Sequence, residues 1–219
     1  IEDGYTLCFA SKWYGKPGVE FYSVQHHGKE EMVKAAWELL DEADAVIHYN
    51  GTKFDIPTLN GDFQEEGLGV PAPYHEIDLL KTVRRKFRKY SNKLDEVAKW
   101  LGVGNKVHHK GLRLWLECME GDEKAWKIME RYNRMDVTLL ERVYNELRPW
   151  IVSHPNHALY TDDTRPCCPN CGSRKLTRQG YRHTKTQSYQ QYRCTKCGSW
   201  SRKRTTALAP DKREGVLVS

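Results

Sequence analysis

No apolar run in the sequence approaches the roughly 20 residues that a membrane-spanning helix needs. The first residues also lack the basic-then-apolar order of a signal peptide. Internal repeats and low-complexity stretches are absent too, which argues against a repeat or fibrous architecture. Together with a mean hydropathy of −0.76, these absences predict a soluble globular protein that has no membrane partner and stays in the cytoplasm.

Acidic residues are scarce in the last part of the chain. From Thr161 onward, 13 Lys and Arg stand against four Asp and Glu, a net charge of +9, whereas the remainder has 22 against 25, a net charge of −3. A basic segment on a slightly acidic body favours a polyanionic partner, with a merely solvated charged surface as the alternative. A length of 219 residues accommodates one full-sized domain and a small module.

The cysteines indicate what that module is. Five of the seven lie between Cys167 and Cys197, and such clustering favours a metal site over a disulfide framework. Two Cys-x-x-Cys-Gly motifs, at Cys168/Cys171 and Cys194/Cys197, are separated by 22 residues. This spacing predicts four thiolates around one tetrahedral Zn²⁺, with Cys167 as a spare thiol. A closed four-sulfur site makes the zinc structural, since no coordination position is left for a reactant.

Basic and aromatic residues surround the cysteine motifs. Arg202-Lys203-Arg204 follows the second motif, and four aromatic residues are interleaved with the cations: Tyr181, Tyr189, Tyr192 and Trp200. Cations suit phosphates and aromatic rings suit unpaired bases, so the combination predicts contact with single-stranded nucleic acid. The alternative is that the aromatic rings only form the small core of the module.

The segment before Pro149 alternates strand-like and helix-like patterns. Strands are predicted for 5–11, 18–24, 43–49 and 75–79, and helices for 30–42, 56–67, 94–101, 111–120 and 123–147. This order predicts an α/β fold with a mixed sheet flanked by helices, whose ligands gather at the carboxyl ends of strands. The predicted boundaries are 1–152 for the α/β domain, 153–166 for a linker, 167–204 for a β zinc ribbon and 205–219 for a basic, flexible tail.

Two short motifs in the α/β segment carry a resemblance to a known family. Asn50-Gly-Thr-Lys-Phe-Asp55 follows the strand AVIHY, and Tyr132-Asn-Arg-Met-Asp136 lies inside the long predicted helix. They resemble the second and third exonuclease motifs of the DnaQ-like superfamily, in its Tyr-x-x-x-Asp subtype and its phage or bacterial exonuclease-subunit group. The resemblance covers roughly residues 1–152 and implies an RNase H-like fold.

The resemblance also implies a 3′→5′ exonuclease that acts on single-stranded or frayed DNA 3′ ends. Asp55 and Asp136 would hold two Mg²⁺ or Mn²⁺ ions. The Tyr132 hydroxyl, on the same helical face as Asp136, would orient the attacking water. Asn50 and Phe54 would contact the substrate. A proofreading role implies a DNA polymerase or replisome subunit as partner, in the cytoplasm of a bacterial or phage-infected host cell.

Ordinary structural roles compete with each of these assignments. Asp55 is also suited to capping the helix that follows it. Tyr132 would then be a packing residue and Asn50 a turn residue. Asp78 either borders the cleft or caps the next helix. Four histidines show no ligand spacing and are expected to be structural or surface residues: His48, His75, His108 and His109.

The first motif of that family, Asp-x-Glu on the opening strand, does not occur in this sequence. We therefore expect the fold to lack its first strand and two catalytic acids, which would lie upstream, so residues 1–219 alone are expected to be nearly inactive. The alternative from another functional class is a non-catalytic zinc-ribbon adaptor that binds nucleic acid. An RNA-directed exonuclease of the same fold is equally compatible, because no residue identifiable in the sequence reads a 2′-hydroxyl.

Overall fold

The computed structural model describes residues 5–105 and 111–218. The chain divides into two compact units, of which the first ends at Leu147 and the second begins at Arg148. The expected end of the α/β domain, at residue 152, therefore lies inside the second unit. No helix among the described residues is both long and apolar enough to cross a bilayer. His108 and His109 lie outside the described residues.

The first unit combines four short strands with helices. In chain order its elements are β1 (Cys8–Ser11), β2 (Glu20–Ser23), α1 (Val24–His27), α2 (Lys29–Glu42), β3 (Ala45–His48), α3 (Asp55–Glu65), β4 (His75–Asp78), α4 (Leu79–Lys86), α5 (Leu94–Leu101), α6 (Leu112–Met119) and α7 (Glu123–Leu147). Helices α5 and α7 occupy the residues predicted for them. At the start of α7, the Asp122 carboxylate accepts a hydrogen bond from Lys124 N at 2.8 Å. The sequence patterns do not predict α1, which is capped by Ser23.

The four strands form two separate sheets rather than the single mixed sheet expected from the sequence. β1 pairs antiparallel with β2, and β3 pairs parallel with β4. No ladder among the described residues joins the two pairs. The expectation of one continuous sheet is corrected accordingly, because a cavity lies along β1 and β3 where a connecting ladder would run.

Successive residues of the β1–β2 hairpin point to opposite helical layers. Phe21 belongs to a buried cluster with residues of α6 and α7: Leu114, Cys118, Ala125, Trp126 and Met129. Phe9 and Tyr22 face the other way and stack with ring centroids 5.3 Å apart. They pack against a second cluster, formed by α2 and α3: Met32, Val33, Ala36, Leu40 and Phe63. The hairpin is therefore held between two layers of helices, as expected for an α/β sandwich.

The second unit contains a three-stranded antiparallel sheet in the order β5-β6-β7. Its elements are two 3₁₀ turns, Arg148–Trp150 and His157–Tyr160, the strands β5 (Leu176–His183), β6 (Ser188–Cys194) and β7 (Trp200–Arg202), and the helix α8 (Pro210–Glu214). The tail predicted as flexible from 205 is held near its start, because Ala207 N donates to Ser188 O at 2.7 Å. It then forms α8.

Candidate functional site

A cavity of about 1140 Å³ in the first unit is lined by both residues that are predicted to be catalytic acids. Asp55 lines it from the start of α3, and Asp136 lines it from the middle of α7. Asn50 lines the same cavity from the turn between β3 and α3. Two acids that are distant in the sequence thus share one cavity.

Asp55 does not cap the helix that it begins. α3 starts after Phe54, which makes no side-chain capping hydrogen bond. The preceding turn is closed by backbone hydrogen bonds instead, in which Phe54 N and Ile56 N donate to Gly51 O at 3.1 Å and 2.9 Å. Asp55 is exposed and lies in the first turn of α3.

Asn50 holds a left-handed backbone conformation, with a φ of 71°, which asparagine adopts more readily than most residues do. Its N–H donates to the Asp78 carboxylate at 2.9 Å, and the same oxygen accepts from Leu80 N at 2.9 Å. Asp78 is buried and caps α4. Of its two expected roles, Asp78 therefore has the capping one, and it also fixes the turn that carries Asn50.

His48 is buried and has a structural role, one of the two roles expected for it. Gly51 N donates to His48 Nδ1 at 3.1 Å, which assigns the ring proton to Nε2, 3.2 Å from Glu76 Oε2. Glu76 also accepts from the Thr52 hydroxyl at 2.6 Å. A Cβ at residue 51 would lie only 2.7 Å from His48 Cγ, which explains the glycine. Side chains of β3 and β4 thus lock the turn that precedes Asp55.

Tyr132 lies in a different environment from Asp136. Its ring packs edge-on against Trp115, with centroids 6.3 Å apart, and contacts the buried cluster of α6 and α7. Asp136, one turn later, is half-buried and lines the cavity, which Tyr132 does not. The packing contact considered as the alternative for Tyr132 is therefore present, and the structure does not bring Tyr132 into the cavity with the two acids.

Of the further α7 residues that line the cavity, Asn133 and Glu141 connect it to β1 and the turn after β1. Asn133 Nδ2 approaches Cys8 Sγ at 3.6 Å. Glu141 accepts from Lys12 Nζ at 2.9 Å and from Gly15 N at 3.0 Å. Although burial acts to raise the pKa of Glu141, these donors bring that pKa below its usual value, so the carboxylate stays ionised.

Phe54 presents an exposed aromatic ring beside Asp55. The residue is 56% exposed, and Lys53 Nζ lies 5.5 Å from the ring centroid. An exposed ring with a cation beside it is suited to stacking on a base whose phosphate is nearby.

Four cysteines of the second unit form a site of the size that zinc requires. The sulfurs of Cys168, Cys171, Cys194 and Cys197 all lie within 4.8 Å of one another. The Cys168–Cys197 and Cys171–Cys194 sulfur separations are 3.6 Å and 3.7 Å. A tetrahedron with zinc–sulfur bonds of about 2.3 Å has an edge of roughly 3.8 Å. Cys167 is not part of this group, and within residues 5–105 and 111–218 no other group of three or more His, Cys, Asp or Glu is arranged to hold an ion.

The two cysteine motifs repeat one backbone pattern. Cys168 N donates to Ser173 O at 2.8 Å, and Gly172 N donates to Cys168 O at 2.9 Å. The equivalent bonds of the second motif, from Cys194 N and from Gly198 N, are both 2.9 Å. The two glycines have φ values of 68° and 77°, a conformation that favours glycine. Each tight turn thus presents two sulfurs to the common centre.

The two cysteines of the first unit are unsuited to chemistry. Burial raises the pKa of Cys8 to about 12, and burial also raises the pKa of Cys118. Because the thiolate is the reactive form of cysteine, burial disfavours reaction at both side chains.

One face of the three-stranded sheet carries arginines and aromatic rings together. The register pairs Arg193 with Trp200 and Tyr189 with Arg182, and paired residues share a face. Arg202, two residues after Trp200, points the same way. Its guanidinium lies 3.9 Å from the centroid of Tyr189, and that of Arg193 lies 5.9 Å from the centroid of Trp200. We call this surface the arginine face; it consists of Arg182, Tyr189, Arg193, Trp200 and Arg202.

The Arg202-Lys203-Arg204 run does not form a single surface. Arg202 belongs to the arginine face, whereas Lys203 and Tyr181 line a separate cavity of about 200 Å³. Arg204 is exposed beyond the end of β7. Tyr181 and Trp200 are each 54% exposed, so these two rings are more than the core of the module.

The sequence model of a protein family described as the RNase H superfamily matches residues 3–148, about two thirds of the chain. The matched range includes Asp55, Tyr132 and Asp136 and ends before the cysteine motifs. None of the curated proteins matches the chain.

Proposed function

The chain belongs to the RNase H superfamily, and we propose that its first unit is a DnaQ-like 3′→5′ exonuclease that hydrolyses DNA with two divalent ions. Membership of the superfamily indicates a nuclease-type hydrolase with a nucleic-acid substrate and a use for divalent metal. The finer assignment rests on the motifs at Asn50–Asp55 and Tyr132–Asp136. We assign the chain to the Tyr-x-x-x-Asp subtype and to the phage or bacterial exonuclease-subunit group. The role that we propose is proofreading beside a DNA polymerase.

The observation that carries the proposal is the convergence of Asp55 and Asp136 on one cavity. Carboxylate oxygens are the ligands that Mg²⁺ and Mn²⁺ prefer. When bound, two such ions stabilise the attacking and the leaving oxygens of an in-line displacement. Two carboxylates hold such ions weakly, so the Asp-x-Glu acids of a first strand are part of the proposal.

Other residues position the substrate and the water. The exposed Phe54 ring stacks on the terminal base, and Asn50, held by the Asp78 carboxylate, contacts the nucleotide. The Tyr132 hydroxyl holds the attacking water. The place of Tyr132 one turn before Asp136 supports this role, whereas its packing against Trp115 opposes it.

The test uses the chain extended upstream by a strand that carries Asp-x-Glu. We expect this version to shorten 5′-labelled DNA from the 3′ end in Mg²⁺ or Mn²⁺, and residues 1–219 alone to do so poorly. Asp136→Asn should remove metal affinity and most of the activity together. Glu146→Gln removes the same charge from an exposed position of α7 and should change neither. Full activity of the Asp136→Asn version would refute the proposal.

Tyr132→Phe tests the hydroxyl alone, because it keeps the ring that packs against Trp115. We expect hydrolysis to slow by about 10- to 1,000-fold, the range for losing a positioning or proton-handling group, while metal binding and folding stay unchanged. An unchanged rate would assign Tyr132 to packing. DNA and RNA oligonucleotides of the same sequence, compared in this assay, decide the sugar specificity.

We further propose that the second unit is a zinc ribbon that holds single-stranded nucleic acid. The spacing of its four sulfurs supports the zinc, and the exposed arginine face supports the nucleic acid, since guanidinium groups meet phosphates while rings stack on bases. One tightly bound zinc per chain is expected. Metal analysis that finds none in protein with reduced, intact cysteines would contradict the ribbon.

A non-catalytic adaptor that binds nucleic acid is the second candidate. One finding favours it. Among the described residues, the four cysteines are the only group of three or more His, Cys, Asp or Glu that is arranged to hold one ion, and that group belongs to the second unit. Tight DNA binding without hydrolysis, in the version that carries Asp-x-Glu, would support the adaptor.

A further inference from the structure

One short segment of the first unit concentrates positive charge. Residues 81–93 contain seven Lys and Arg and no Asp or Glu, whereas the rest of residues 1–160 has 15 Lys and Arg against 25 Asp and Glu. A net charge of +7 thus stands on a body whose net charge is −10. Summed over residues 1–160 the two nearly cancel, so the net charge alone does not reveal the segment. We call residues 81–93 the basic segment.

The cations of the basic segment are not neutralised by the protein. Six of the seven are exposed: Lys81, Arg84, Arg85, Lys86, Arg88 and Lys93. Among the described residues, no carboxylate forms an ion pair with any of the seven. The two acids that follow the segment, Asp95 and Glu96, pair with Lys99 instead. Cations at this density repel one another, so a bound polyanion would relieve the repulsion.

The basic segment borders the cavity of the candidate catalytic acids. Arg84 lines that cavity from α4, and Tyr90 and Lys93 line it from the chain after α4. Near the start of α4, Lys81 Nζ donates to the Thr52 hydroxyl at 3.0 Å, in the turn that follows β3. The basic segment therefore lies beside the cavity from its first residue to its last.

Contacts with α5 fix which side chains of the basic segment point outward. The Phe87 ring lies edge-on to the Trp100 ring with centroids 4.9 Å apart, and Lys89 Nζ lies 4.1 Å from the centroid of the same ring. Arg88 and Tyr90, which alternate with these two residues, are exposed, and Tyr90 is fully so. A period of two is that of an extended chain. It places a cation and an aromatic ring on the same outward side.

We propose that the basic segment binds a single strand of nucleic acid beside the cavity. Arg84, Arg85 and Arg88 neutralise phosphates, and the Tyr90 ring stacks on an unpaired base. Cations alone would suit any polyanion, but a fully exposed ring next to them suits a strand whose bases are unpaired. The first unit thus has a nucleic-acid surface of its own, separate from the arginine face. That the 3′ end of the bound strand continues to the two acids of the cavity rests on the proposed function.

The test measures the binding of residues 1–219 to labelled oligo(dT) by fluorescence anisotropy, without divalent ions. Arg85→Ala/Arg88→Ala removes two exposed cations that do not line the cavity. We expect the slope of log K against log salt concentration to fall in magnitude by about 1.4, or about 0.7 for each lost phosphate contact. The matched control, Lys124→Ala/Lys127→Ala, removes two exposed cations from α7 and should leave the slope unchanged. Equal slopes for the two variants would mean that the basic segment is only solvated and would overturn the proposal.

Tyr90 tests whether the bound strand is single. Tyr90→Ala should weaken the binding of oligo(dT) by about 5- to 150-fold at every salt concentration. Tyr90→Phe keeps the ring and should bind like the unmodified chain. Both variants should fold normally, because the side chain is fully exposed. Blunt duplex DNA should not respond to Tyr90→Ala, since its bases are already stacked and paired. If Arg85→Ala/Arg88→Ala weakens duplex binding and oligo(dT) ignores Tyr90→Ala, the surface binds duplex DNA and the single-strand proposal is overturned.

Photocrosslinking separates the basic segment from the nuclease. Oligo(dT) carries one iodouracil, either near its 3′ end or in its middle, and mass spectrometry identifies the crosslinked peptide. Crosslinks from the 3′ probe to the basic segment support both the surface and the 3′ entry of the strand. Crosslinks from the middle probe alone, with the expected slopes, would leave the surface standing and contradict the proposed function. Hydrolysis from the 3′ end by the version that carries Asp-x-Glu, with equal slopes and no crosslink to the basic segment, would have the reverse meaning.

Discussion

The arginine face of the second unit allows the effect of a mutation on DNA binding to be calculated. Arg193 and Arg202 are exposed and lie beside the rings of Trp200 and Tyr189. If this face holds single-stranded DNA, each guanidinium neutralises about one phosphate, and each such contact contributes about −0.7 to the slope of log K against log salt concentration. Arg193→Ala/Arg202→Ala should therefore reduce the magnitude of that slope by about 1.4.

This change in slope has a measurable consequence. Between about 50 and about 200 mM salt, the unmodified chain should lose about sevenfold more affinity than the double variant loses. Trp200→Ala removes a stacking surface rather than a charge. At about 1–3 kcal/mol per stacked base, it should weaken binding by about 5- to 150-fold at every salt concentration and leave the slope unchanged. The two variants therefore differ in the shape of the salt curve as well as in affinity.

The assay is fluorescence anisotropy with labelled oligo(dT), without Mg²⁺ or Mn²⁺ so that the probe stays intact. Lys185→Ala/Lys212→Ala is the matched control, because it removes two exposed positive charges from elsewhere in the same unit. Its slope should stay close to that of the unmodified chain. Equal slopes for the two double variants would mean that binding follows net charge alone, and the reasoning from the arginine face would be refuted.

Metal removal, thiol labelling and one capping mutation provide further tests. Cys171→Ser should abolish zinc binding and unfold the second unit, while the far-UV signal of the first unit's helices persists, because the two units are separately compact. In zinc-loaded protein, iodoacetamide should label Cys167 alone, as read by mass spectrometry; labelling of a first-unit thiol would contradict the burial argument. Asp78→Ala should lower the free energy of unfolding by about 2 kcal/mol, because two backbone N–H groups lose their acceptor. In the same urea titration, the exposed Asp44→Ala should cost less than about 0.5 kcal/mol.

Features that depend on neighbouring residues are the ones that the sequence predicts well. Helix α7 runs over the predicted 123–147, because its apolar spacing and the cap at Asp122 are local signals. The four-cysteine site is equally predictable, since each Cys-x-x-Cys-Gly turn places two sulfurs together by backbone hydrogen bonds within the motif. Cys167, which falls outside the repeated spacing, also falls outside the group of four sulfurs.

Features that depend on strand pairing are not predictable in this way. The sequence predicts one basic patch at Arg202-Lys203-Arg204. In the structure, however, Arg202 belongs to the arginine face and Lys203 lines the cavity of about 200 Å³. Successive side chains of β7 point to opposite faces of the sheet, so neighbours in the sequence are separated. Only the register with β6 shows which residues of the two strands share a face. The contact by which His48 holds the turn before Asp55 is not predictable either. Its partner Glu76 comes from β4, and no residue near either one in the sequence indicates the contact.

Tyr132 and Asp136 lie four residues apart on α7 but have different surroundings. Residues four apart on a helix differ by about 40° in direction, so the spacing predicts that both motif positions serve one site. Along α7, however, Tyr132 has Trp115 beside it, whereas Asp136 lines the cavity that Asp55 also lines. Asp136→Asn should therefore act on metal binding at the cavity. Tyr132→Phe keeps the ring contact with Trp115, so any effect of that change on the rate of hydrolysis must arise from the hydroxyl. The acid thus reports on the metal and the tyrosine on the chemistry, although one helix carries both.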